Sequence, residues 1–142
     1  MLSQDYPSPG LPQDGDPGGQ TDPASVLIVE DERSSRTALS RLLAQSGYDN
    51  QAVASGEDAL QLIRRSGIPR FALVDLNLPG MSGFDLIEQL SRIDPSVVIV
   101  LTTAAGGEPL MDRVRDFGVE YLRKPLDFNR LLGLLGATRM NQ

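Results

Sequence analysis

Short apolar runs separated by stretches of helical period organise this chain. Val26 to Val29 are four consecutive apolar residues that stop at two acids, Glu30 and Asp31. Phe71 to Leu76 is a second run, interrupted near its end by the carboxylate of Asp75, and residues 97–102 form a third that finishes on Thr102. Runs this short and this apolar predict strands buried on both faces, as in a parallel sheet covered by helices. Two weaker runs, Tyr48 to Ala54 and Val119 to Leu122, bring the strands to five.

The intervening segments carry the period of helices. Ala38, Leu39, Leu42 and Leu43 share one helical face, and Gly47 suits a C-terminal cap. Ala59, Leu60 and Ile63 repeat the period within 56–66, and Phe84, Ile87 and Leu90 do so within 82–93. A helix around 110–117 and a leucine-rich helix from Asp127 to about Ala137 complete the series. Strands alternating with helices over short connections, with right-handed crossovers, predict an α/β doubly wound sandwich. Its apolar stripes are core.

The first 24 residues break this pattern. They hold five of the ten prolines, four glycines, four aspartates and no Lys or Arg, and are read as a disordered tail. The remaining length suits one domain. A net charge of -6 argues against an electrostatic grip on nucleic acid. The chain has no cysteine and no histidine, which removes thiolate and imidazole metal sites, Ser-His and Cys-His nucleophile systems, and any phosphohistidine of its own. No apolar run approaches the ~20 residues needed to span a bilayer, and no signal-peptide pattern opens the chain, so a soluble cytoplasmic protein is expected.

Candidate chemistry gathers where strands end. Glu30 and Asp31 follow the first strand, Asp75 ends the third, Thr102 and Thr103 end the fourth, and Lys124 follows the fifth. With the first strand central, these ends converge on one crevice beyond the carboxyl edge of the sheet. Three carboxylates there repel, since unit charges ~4 Å apart interact by about 4 kcal/mol at an effective dielectric of 20. A cation is required. Lys124 supplies one charge, and an all-oxygen donor set selects a hard divalent ion, Mg2+ or alternatively Mn2+. Acids, a hard metal, a lysine and a hydroxyl are what phosphoryl transfer to a carboxylate needs.

Over about Ser25 to Ala137 the chain resembles the receiver domains of two-component response regulators. The resemblance rests on the acidic pair in VLIVED, the acceptor loop DLNLPGMSG, the threonine in VIVLTTA and the YLRKP sequence. The spacings match too, with 44 residues from Asp31 to Asp75 and 22 from Thr102 to Lys124. The resemblance implies a flavodoxin-like fold with strand order 2-1-3-4-5, a receiver domain over residues 25–138 and a short tail over 139–142.

It further implies that Asp75 is the phosphoacceptor. Asp31 would bind magnesium directly, Glu30 through water, and the backbone carbonyl of Asn77 would complete the protein ligands. Glu30 stands where the family more often has aspartate; the longer arm fits an outer-sphere role. Lys124 would neutralise phosphoryl oxygens and Thr102 would hydrogen-bond one of them. Family members usually have a cis bond between this lysine and the next proline, and the sequence leaves that isomer open. Tyr121 matches the switch aromatic, which would fill space vacated by Thr102 and so bias a surface of the fourth helix, fifth strand and last helix. Asn77, Thr103 and Ala104 would tune access to Asp75, with the small Ala104 favouring a short-lived phosphoryl group.

The implied partners are a sensor histidine kinase or histidine phosphotransfer protein and a downstream protein target, with neither nucleic acid nor membrane bound directly. The chain would be a phosphoacceptor and not a turnover enzyme, a monomer or a phosphorylation-dependent dimer. It ends about where the last helix does, so the expectation is a stand-alone receiver or one cut from a longer protein. Other readings remain. A magnesium-dependent aspartyl-phosphate hydrolase of the haloacid dehalogenase type wants a second acid where Asn77 stands. A flavodoxin-like cofactor binder wants a phosphate cradle where Glu30 and Asp31 stand. A pseudo-receiver docking module would leave the filled acidic and cationic positions without purpose.

Overall fold

The computed structural model describes residues 25–104 and 108–140, in which β1 (Ser25–Val29), α1 (Arg33–Gln45), β2 (Asp49–Val53), α2 (Gly56–Ser66) and β3 (Phe71–Asp75) are followed by α3 (Gly83–Ile93), β4 (Val98–Thr103), α4 (Glu108–Phe117), β5 (Glu120–Arg123) and α5 (Phe128–Met140). All strand pairs are parallel, and the order across the sheet is β2-β1-β3-β4-β5. This is the flavodoxin-like arrangement. β1 and β3 lie inside the sheet, so each needs apolar residues on both faces, and the wholly buried FALVD of β3 meets that demand.

Successive strand residues face opposite ways, and each face builds its own core. Leu27, Val29, Val74 and Leu101 pack with Ala59 and Ile63 of α2, Phe84, Ile87 and Leu90 of α3 and Val114 of α4. Val26, Ile28, Leu73 and Val100 pack with Leu39 and Leu43 of α1 and Leu131 and Leu135 of α5. Each fully buried side chain of this kind stabilises the fold by about 1.5–3 kcal/mol. Helix starts are capped by side-chain oxygens: Glu32 accepts the amides of Ser34 and Ser35, Ser55 that of Asp58, and Ser82 that of Asp85. Gly47, at φ +90°, turns the chain out of α1 into β2.

Several boundaries differ from the sequence reading. β4 extends through Thr103, α4 begins at Glu108, β5 is displaced by one residue, and α5 runs on to Met140. The stripe on α1 is narrower than its leucines suggest: Leu39 and Leu43 are buried, while Ala38 is exposed and Leu42 is 39% exposed. α1 leans on only one side of an edge strand pair, and a four-residue spacing suffices to cover it. The disordered reading of residues 1–24 lies outside the described residues, as do residues 141–142 of the C-terminal tail.

Candidate functional site

The carboxyl edge of the sheet gathers the residues that the strand ends carry. One carboxylate oxygen from each of Glu30, Asp31 and Asp75 lies within 4.8 Å of the others. Glu30 and Asp75 are buried, at 3% and 4% exposure, whereas Asp31 is open to solvent. They converge because β1 and β3 are parallel neighbours with Val29 opposite Val74, so both strands finish at the same height.

Lys124 closes the cluster. Its Nζ donates to Glu30 Oε1 at 2.8 Å and to Asp75 Oδ2 at 3.1 Å. Its backbone amide donates to the Thr103 carbonyl at 2.8 Å, which holds it at the end of β4, and its bond to Pro125 is cis. Burial disfavours the ammonium ion, but the hydrogen bonds and charges of Glu30 and Asp75 outweigh it and raise the Lys124 pKa above its ordinary value. The other oxygens are also held. Glu32 N–H donates to Glu30 Oε2 at 3.0 Å, and Asn77 N–H donates to Asp75 Oδ1 at 3.1 Å. Thr102 is buried in register with Asp75 on the adjacent strand, and the amide of Leu76 donates to its carbonyl at 2.8 Å.

The loop after β3 is shaped by close packing. A Cβ on Gly83 would lie 2.6 Å from the carbonyl oxygen of Asp75, so the start of α3 rests directly on the end of β3. Gly80 has φ +70°, and a Cβ there would approach Glu57 Oε2 to 2.8 Å. That same oxygen accepts the Met81 amide at 3.1 Å and ties the loop to α2.

Of the positions expected to tune access, Asn77 and Ala104 are exposed, while Thr103 is fully buried. Tyr121 is half-buried against the core beneath α4. It stands opposite Leu101, and Thr102 stands opposite Leu122, so Tyr121 and Thr102 are one position out of register on adjacent strands and face opposite sides of the sheet.

Two supporting residues were not legible in the sequence. Glu57 is one, as the anchor of the Gly80–Met81 turn. Arg36 is the other: its Nη1 donates to the carbonyl oxygens of Glu30 at 2.9 Å and Asp31 at 3.2 Å. Both act on backbone atoms, which no side-chain pattern encodes.

All-oxygen donors, two of them buried, with three carboxylates against one ammonium ion, suit a hard divalent cation. A family model described as the response regulator receiver domain matches residues 26–135. The response regulator protein FleR of Pseudomonas aeruginosa is 36% identical over 122 residues, 84% of this chain and 25% of that protein. The sensory transduction protein RegX3 of Mycolicibacterium smegmatis is 40% identical over 116 residues, 80% of this chain and 49% of that protein. The chain thus spans a quarter to a half of the length of these relatives. Among solved structures, the signal receiver domain of a LuxO repressor protein from Vibrio parahaemolyticus superposes with a TM-score of 0.75 at 30% identity, covering 83% of this chain and 91% of that one.

Proposed function

The chain belongs to the response regulator receiver domain family, and from that premise we propose that Asp75 accepts a phosphoryl group from a partner's phosphohistidine and thereby switches a protein-binding surface. The observation that carries the reading is the seating of Lys124 between Asp75 and Glu30, with Asp31 alongside. In attack, an oxygen of Asp75 bonds to phosphorus as the P–N bond to the donor imidazole breaks. The electron pair leaves with that nitrogen, which takes a proton from solvent, and the product is an acyl phosphate.

Lys124 is already within hydrogen-bond distance of Asp75, so its ammonium group meets the phosphoryl oxygens without moving far. Thr102, in register with Asp75, offers a hydroxyl to one of them. Asp31, Asp75 and the Asn77 carbonyl would hold Mg2+ directly and Glu30 through water. When bound, Mg2+ supplies the second positive charge that phosphoryl transfer requires. Because Asp75 is held by the Asn77 amide and Lys124 before reaction, its geometry is set in advance.

Thr102 and Tyr121 would carry the change to α4, β5 and α5. Asn77, Thr103 and Ala104 would set the approach of water, with exposed Ala104 leaving it open. The chain promotes its own labelling and hydrolysis in the cytoplasm and turns over no external substrate. Its donor would be a sensor histidine kinase or histidine phosphotransfer protein, its reader a downstream protein, and its own state a monomer or phosphorylation-dependent dimer. Acetyl phosphate with MgCl2, followed by intact mass, tests the reading. One added phosphoryl group is expected, lost in Asp75→Asn and lost on chelation; a chain that stays unlabelled with every donor would instead be a docking module.

A further inference from the structure

Arg36 is outside the acid cluster, yet it holds the backbone from which two of the three acids project. β1 stops pairing at this point: the Glu30 amide still donates to Val53 of β2, and beyond it the chain turns toward α1. The carbonyls of Glu30 and Asp31 therefore lie past the last rung of the sheet. A single nitrogen, Arg36 Nη1, takes both, at 2.9 and 3.2 Å. Two consecutive carbonyls fixed to one donor set the orientation of the peptide between them, and with it the direction of both side chains. On the other side, the Glu32 amide pins Glu30 Oε2.

We propose that Arg36 is a positioning residue of the cation site, keeping the carboxylates of Glu30 and Asp31 turned toward Asp75 against their mutual repulsion. The inference rests on the reading of this cluster as a divalent-cation site. Two effects of Arg36 have opposite sign, which makes them separable. As a charge, the guanidinium repels an incoming cation, so its removal alone would strengthen binding. As a support, it aligns the ligands, so its removal weakens binding; loss of an outer-shell partner typically costs roughly 10-fold or more in metal affinity.

The test is titration of the 142-residue chain with MgCl2, followed by amide chemical shifts of residues around Glu30, Asp31 and Asn77. Arg36→Met is expected to weaken Mg2+ binding on the order of 10-fold, and Arg36→Lys, which keeps the charge and one donor group, to recover part of that loss. Arg41→Met removes an equal charge from the same helix and should leave affinity near the wild-type value. Unchanged or tighter binding by Arg36→Met would overturn the proposal, as would a lowered unfolding midpoint without any change in affinity. If the wild-type chain bound no Mg2+, the cation-site reading itself would fall and take this inference with it; normal wild-type binding with an indifferent Arg36→Met removes the inference alone.

Discussion

At the scale of single residues, the site depends on charges held by short-range partners. Glu32 shows how strongly. Bonded by the Ser34 hydroxyl, and then by Ser35, it has its pKa lowered from 4.5 to about 2. It also caps α1 and supplies the amide that holds Glu30. A carboxylate with a depressed folded-state pKa lends stability that is present above its ordinary pKa and lost as pH falls through the folded one. The cap should therefore be intact at pH 5 and weaken between about 4.5 and 2. A carboxyl-carbon NMR titration should place the Glu32 midpoint near the lower bound, and amide exchange in the first turn of α1 should rise across the same interval. The sequence showed Glu32 only as the third acid in a row; its capping role depends on Ser34 and Ser35 being turned toward it.

At the scale of elements, α3 starts directly against the end of β3 that carries Asp75. Gly83 begins α3 and has the Asp75 carbonyl and the Leu76 Cα where a Cβ would go. Both obstacles are backbone, so neither can rotate away. Gly83→Ala should cost roughly 1–3 kcal/mol in urea unfolding, as overpacking does, and should slow the proposed labelling by acetyl phosphate as the end of β3 shifts. Normal labelling in a destabilised variant would show that strand and loop adjust independently. α4 is attached more lightly: Val114 is its one buried residue among those described, helped by Phe117 stacked on Phe84 at 5.2 Å and by Arg113 over the same ring at 4.0 Å. Few anchors suit an element expected to move. The periodicity of residues 110–117 disclosed a helix there but not how lightly it is held, because that depends on what α3 presents to it.

At the scale of the molecule, the proposed switch runs from the carboxyl edge to the α4–β5–α5 face through Thr102 and Tyr121. Tyr121→Ala should leave the labelling rate within about twofold, since the ring lies outside the cluster, while the amide shifts that labelling induces along α4 and α5 should shrink. Shifts as large as in the wild type would remove Tyr121 from the route. By itself, the sequence determined the alternation of strands and helices, the burial of β1 and β3, and the five strand-end positions Glu30, Asp31, Asp75, Thr102 and Lys124. Apolar runs and terminal polar residues are local, and a parallel sheet with all its carboxyl ends on one edge leaves them one place to meet. Tertiary structure alone decided that Lys124 bridges Glu30 and Asp75, and that Arg36 and Glu57 brace the loops from neighbouring helices. Those contacts join a side chain to a backbone atom or to a distant strand, and their geometry exists only once the elements have packed.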